Sequence, residues 1–180
     1  MSLFRGRDAD YGPAFALALL DNSGEAQNIA AELDPEDTCV LFSYPSALRA
    51  LDALNQGDAA KAHEMTQAAA PYDLAVPGTA YLAAFFGALY PVYVRGLAYS
   101  RIGRHREAAA QFQTILDHPG IVLNDPIGPM ARLQLARALS VSWDRSKSAA
   151  VYKDLLSIWK DADPDIPVVH EAKAEAAKQQ

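Results

Sequence analysis

The sequence predicts an all-α fold, a stack of about four antiparallel helix pairs closed by a C-terminal capping helix. Three observations carry this. Pro91 to Gly120 reads as two amphipathic helices joined at Gly103, with Ala108, Phe112 and Ile115 recurring at helical spacing on the second. Landmarks then return at one offset: Ala136 stands 40 positions after Gly96, and Tyr152 stands 40 after Phe112. Finally, the spacing from Gly57 to Ala62 repeats that from Gly103 to Ala108. A short helix with one apolar face cannot bury that face alone, so its neighbours must cover it.

Residues 1–180 are expected to form a single repeat domain, with pairs at 8–34, 38–70, 90–118 and 126–160 and a cap at 166–178. In the first pair Tyr11, Phe15, Ala18 and Leu19 share one helical face. Asp21-Asn22-Ser23-Gly24 is a turn cluster. Ala26, Ile29, Ala30 and Leu33 supply the face of the second helix. In the second pair Val40, Leu41, Leu48, Leu51 and Leu54 are the apolar positions of a helix running from Thr38 to Asn55, and Pro45 either starts that helix or bends it. After the turn Gln56-Gly57-Asp58, Ala62, Met65, Thr66 and Ala69 face inward from a helix that Pro71 ends. Pro71, Pro77 and Gly78 predict an irregular connection. Tyr81 to Leu89 is apolar on every side and predicts a short buried helical turn or a loop tucked over the groove. A single helix from Thr79 to Ser100, kinked at Pro91, is the alternative.

In the third pair Gly96 and Ala98 sit where two helices must approach closely, and Tyr99 shares a face with Gly96. Gly103 supplies the positive φ that a helix end wants. The fourth pair follows a long connection, Pro119 to Pro129. Asn124 or Asp125 can cap its first helix, with Pro126 in the first turn. Met130, Leu133, Leu135, Ala136 and Leu139 are the apolar positions of that helix; Ala149, Tyr152, Leu155, Leu156 and Trp159 are those of the next. Asp163 to Pro167 interrupts the chain. Val168, Val169, Ala172 and Ala176 then give the cap one apolar edge.

Gly96, Tyr99, Gly103, Ala108 and Phe112 resemble the tetratricopeptide (TPR) repeat in order and spacing, with Val92 where that repeat usually carries tryptophan. The resemblance implies a right-handed superhelical TPR-like α-solenoid. The observed offset exceeds the usual period of roughly 34, which puts about six extra residues in the inter-repeat loop. A narrower resemblance rests on LYPVYVRGLAY, FQTILDHPGIVLNDPIG, ARLQLARA and YKDLLSIWKDADPDIP, and covers residues 8–178. It is to the C-terminal TPR region of large bacterial proteins that carry a eukaryotic-like serine/threonine kinase or a winged-helix transcription-factor domain. That resemblance implies a fragment of a longer signalling or regulatory protein, with the kinase or DNA-binding chemistry outside this chain. The abrupt opening MSL fits such a fragment, with residues 1–3 expected to be partly vector-derived.

The composition narrows the function. A chain of 180 residues, 51% hydrophobic and 21% charged, can bury a core and is not a disordered tail. Its net charge is −6, and Lys and Arg form no stripe along the sequence, which argues against nucleic-acid binding through this segment. The single cysteine, Cys39, rules out an internal disulfide and suits a reducing compartment. It is expected to be a buried structural thiol. No signal peptide is recognisable, and the apolar run Ala80 to Leu89 is shorter than the ~20 residues a bilayer needs. A cytoplasmic location follows, with any membrane attachment elsewhere in the parent protein. His63, His105, His118 and His170 do not pair with one another or with Cys39 at metal-ligand spacing. Asp34, Glu36, Asp37, Asp161, Asp163 and Asp165 read as caps and turns, because DADPD lacks the spaced ligands of a calcium loop. No kinase glycine loop, catalytic-loop motif or DFG occurs, so neither catalysis nor a cofactor is expected.

The strongest functional candidate is the inner groove. In stacked pairs the first helices line a concave surface that binds peptides. On this pattern α-helical positions Tyr44, Ala47, Leu51 and Asn55 face it from the second pair. Tyr90, Tyr93, Leu97, Ser100 and Arg101 face it from the third; Met130, Leu133, Arg137 and Ser140 from the fourth. Tyr44, Asn55, Tyr90, Tyr93, Leu97, Arg101, Met130 and Arg137 are the candidate binding residues, since Tyr and Arg dominate binding energy at interfaces. The plainer alternative is that Tyr90 and Tyr93 pack against the next repeat. The expected partner is a protein or peptide, and the competing reading is an architectural module that self-associates as a homodimer.

Overall fold

The computed structural model describes residues 7–20, 22–32, 43–75, 89–142, 144–163 and 165–179. Among them are ten α-helices, one 3₁₀ turn and no strand. The first pair is α1 (Arg7–Leu19) with α2 (Ser23–Ala31), and the second is α3 (Tyr44–Asn55) with α4 (Ala59–Gln67). The third is α5 (Tyr90–Arg101) with α6 (His105–Leu116). A single turn, α7 (Pro119–Val122), leads to the fourth pair, α8 (Ile127–Val141) with α9 (Arg145–Ile158), and α10 (Pro167–Ala177) comes last. Each second helix packs on its own partner and on the first helix of the next pair, and α1, α3, α5 and α8 also pack in succession. The chain is therefore a stack with its first helices side by side.

Local chemistry explains the turns. Gly57 (φ 84°) and Gly103 (φ 78°) adopt the left-handed conformation that a side chain disfavours. The Asp58 carboxylate caps α4 by accepting from the Lys61 N–H at 3.0 Å, and Asp144 does the same for α9 through Lys147. Asp125 Oδ1 accepts from the Ile127 N–H at 2.9 Å and starts α8. Pro45, Pro91 and Pro167 each sit in the first turn of a helix, where the missing N–H has no intrahelical partner to lose.

Close packing explains the small residues. A Cβ added at Gly96 would stand 2.6 Å from the Phe112 ring, so only a hydrogen fits between α5 and α6. The main core runs from Tyr11 and Phe15 on α1 to Leu135 and Ala138 on α8. A second cluster of Leu133, Ala136, Tyr152, Leu155 and Ala172 joins α8, α9 and α10, with Val168 and Ala176 against it.

Several expectations need correction. Leu19 is 40% exposed, not on the buried face of α1. Ser23 and Gly24 belong to α2, so the first turn is shorter than the Asp21–Gly24 cluster. The helix of the second pair is described from Tyr44, with Pro45 at its start rather than at a bend. Its partner α4 stops at Gln67, four residues before Pro71, which lies in a 3₁₀ turn (Ala70–Tyr72). The helix that ends near Ser100 begins at Tyr90, because Leu89 has φ 66° and a left-handed residue breaks the helical hydrogen-bond ladder; Thr79 and Ala80 lie outside the described residues. The turn α7, ending at Leu123 with φ 49°, was not foreseen in the connection before Pro129. Leu33, Cys39, Val40, Leu41, the acidic group Asp34–Asp37 and Tyr81 to Ala88 lie outside the described residues.

Candidate functional site

The inner face of α1, α3 and α5 is filled by its own aromatic rings. Tyr11 stacks on Tyr44 with centroids 3.8 Å apart, and Phe15 meets the edge of Tyr90 at 4.3 Å. Tyr11 also meets Tyr90 edge-on at 6.0 Å, which ties three successive pairs together. Tyr93 packs against Phe112 at 5.7 Å. All of these rings are buried. The Tyr90 hydroxyl donates to Asp125 Oδ1 at 2.9 Å, anchoring α5 to the cap of α8. Burial raises the Tyr90 phenol, and the nearby Asp125 charge adds to that rise. Burial likewise raises the Asp125 carboxyl, against the pull of its hydrogen bonds from Ile127 and Tyr90. Tyr93 is pushed up to about 12 by burial, opposed by Gln134 and Arg137. The Tyr11 hydroxyl is buried with no hydrogen-bond partner, and burial raises its pKa well above the ordinary value.

The eight candidate binding residues therefore separate into three groups. Tyr44, Tyr90 and Tyr93 are internal packing residues; the Tyr90 ring lies against Tyr11 and Phe15 of the first pair and the Tyr93 ring against Phe112 of its own, while the Tyr90 hydroxyl reaches Asp125 ahead of the fourth pair. Asn55 and Arg137 are exposed or half-buried but engaged. Asn55 Nδ2 donates to the Ala18 carbonyl at 2.8 Å, tying α3 to the end of α1. Arg137 Nε and Nη2 donate to both Glu175 oxygens at 2.8–3.2 Å, and Nη2 reaches Glu171 at 2.9 Å. Tyr152 donates to the same Glu175 at 2.8 Å. The inner arginine of α8 is thus occupied by α10, which stands where the first helix of a fifth pair would stand. Leu97 and Met130 remain half-buried and Arg101 exposed. They are the candidate residues that leave surface free on α5 and α8.

One cluster escaped the sequence reading. Arg95 is buried on α5 at a position two before Leu97. Its Nη1 and Nη2 donate to Asp73 at 2.7 and 3.0 Å, its Nη2 to the Thr66 carbonyl at 2.9 Å, and its Nη1 to Gln111 at 3.1 Å. A bidentate, fully hydrogen-bonded guanidinium is what makes a buried cation tolerable. It clips the segment after α4 onto α5 and α6. The only signal for it in the sequence is a charged residue at an otherwise apolar helical position. Beside it His63 lies 4.6 Å from the Tyr99 ring, with the Arg104 guanidinium 4.7 Å over the same ring. Burial lowers the His63 pKa, and Arg104 and Arg95 lower it further.

Among the described residues no group of His, Cys, Asp and Glu is placed to hold a metal ion, and no helix is long and apolar enough to cross a membrane.

No protein-family model matches the chain, and no curated protein matches it. Solved structures do. One is a Podosopora anserina protein, provisionally assigned as a kinesin light chain, with nearly identical TPR-like repeats. It superposes with a TM-score of 0.63 at 16% identity, over 95% of this chain and 83% of its own. A single-substitution variant of that protein gives 0.64 at 15% identity over the same shares. At such identity the likeness is one of fold, and the fold is an all-α TPR-like solenoid.

Proposed function

We propose that the chain is a non-catalytic protein- or peptide-binding module, the sensor or scaffold segment of a larger bacterial signalling or regulatory protein in the cytoplasm. One observation supports the reading. In a stack whose inner face is otherwise closed by tyrosines, Leu97, Met130 and Arg101 stay accessible, two apolar side chains and a cation. An extended or helical peptide could set an aliphatic side chain on the first two and a carboxylate on the third. The test compares proteins captured by the immobilised wild-type chain and by a Leu97→Glu, Arg101→Glu variant, with circular dichroism as the folding control. At least a tenfold loss of a captured partner at equal helicity is expected. Unchanged capture would remove this surface.

The closed inner face also favours a second reading, an architectural module that joins two copies. Sedimentation showing a dimer, with no partner captured by either form, would replace the first reading with this one.

A further inference from the structure

A depression of about 440 Å³ lies on the side of the stack away from the inner face, between α6 and α9. Its floor is Leu135 and Leu139 of α8, and Ala109 and Val151 line the facing walls. Leu135 and Leu139 flank Arg137 in sequence and point away from it, so this surface shares nothing with Leu97 or Met130. Arg106 and Lys147 border it. Each belongs to the first turn of its helix, and α6 and α9 run the same way in the stack. Both cations therefore stand at one end of the valley, and the rest of its lining is aliphatic apart from the neutral amide of Gln113. Arg106 has no ion-pair partner among the described residues. Lys147 meets Asp144 at 2.7 Å, but that pair is exposed and worth little. Of the cations at these two helix starts only Arg106 and Lys147 line the valley; Arg104 lies over the Tyr99 ring and pairs with Glu107 at 2.9 Å. The stack brings to one depression two cations that belong to separate helix pairs.

We propose that this valley docks an acidic amphipathic helix of a partner protein. Its apolar side chains seat over Leu135, Leu139 and Val151, and its carboxylates meet Arg106 and Lys147. The volume falls in the range of ordinary binding clefts, roughly 300–1,000 Å³. Because charge lies at one end only, it fixes the direction in which the helix lies as well as its affinity. A nucleic acid would need cations tracking its backbone, whereas here they meet an apolar floor. The inference rests on the chain being a protein-binding module, and uses a face opposite to the one proposed above.

The test titrates the ¹⁵N-labelled chain with a synthetic amphipathic peptide, leucine on one face and glutamate on the other. A peptide with lysine in place of glutamate and a single-stranded oligonucleotide serve as controls. The glutamate peptide is expected to shift the amides of Ala110, Gln113, Leu139 and Val151. The Arg106→Glu, Lys147→Glu variant should bind it at least tenfold more weakly with an unchanged melting temperature. Undiminished binding by that variant, equal binding of the lysine peptide, equal shifts with the oligonucleotide, or no binding of the glutamate peptide would each overturn the proposal. Sedimentation showing a dimer that the charge reversal dissociates would overturn it too, since the occupant would then be a second copy. Shifts confined to Leu97, Arg101 and Met130 would overturn this site while leaving the module reading intact.

Discussion

Tyr11 and Tyr90 touch in the same aromatic cluster and differ in one hydrogen bond. The Tyr90 hydroxyl is donated to Asp125; the Tyr11 hydroxyl is buried with nothing to receive it. Removing an unmet polar group is close to neutral, whereas removing the hydroxyl that donates to the half-buried Asp125 carboxylate leaves that charge with fewer partners. Tyr11→Phe should therefore change stability by less than about 0.5 kcal/mol or raise it, and Tyr90→Phe should lower it by about 1–3 kcal/mol. Urea denaturation of the two variants checks this, and the opposite order would contradict the assignment. The glycines differ in the same residue-specific way. Gly103 is set by backbone conformation, Gly96 by the Phe112 ring lying where a methyl group would go.

Among the elements, α10 is held by a polar contact as well as by Val169 and Ala172. Burial works to raise the Glu175 carboxyl, but the hydrogen bonds from Arg137 and Tyr152 outweigh it and hold it below the ordinary value. The folded state thus prefers the charged carboxylate. Its contribution is complete above the ordinary carboxylate range and is lost as pH falls through the lowered value. Hydrogen exchange, corrected for intrinsic rates, should show residues 167–177 losing protection in acid before α5 and α6 do. In Glu175→Gln that acid step should vanish, and a step that persists would place its origin elsewhere. The contact was not legible in the sequence, because Arg137 and Glu175 are 38 positions apart and nothing local pairs them. Arg95 and Asp73, 22 apart, escaped for the same reason. What was legible obeys local rules: Gly57 and Gly103 at the turns, Asp125 as a cap, and the recurrence of Phe112 at Tyr152. Tyr44, Tyr90 and Tyr93 lie on α3 and α5, and all three are buried. Whether a tyrosine there meets solvent or another ring depends on how tightly the stack closes, and no single helix encodes that.

Among the described residues the helices pack chiefly on their neighbours in the stack, and past the aromatic contacts of Tyr11 and Phe15 with Tyr90 damage should stay near where it is made. The helix α9 is covered by α8 on one side and α10 on the other. Deleting residues 165–180 should strip protection first from α9, where Tyr152 and Leu155 lose Ala172, and leave α3 to α6 close to native. Exchange mass spectrometry distinguishes this from a uniform loss, which would mean that the chain unfolds as one cooperative unit. The rings of Tyr11, Tyr44 and Tyr90 bind three turns of the coil to one another from within. A pull on its two ends would have to part those rings before it could lengthen the coil. Over its first three turns, then, the chain would behave less like a spring than like a strut, passing tension along without stretching.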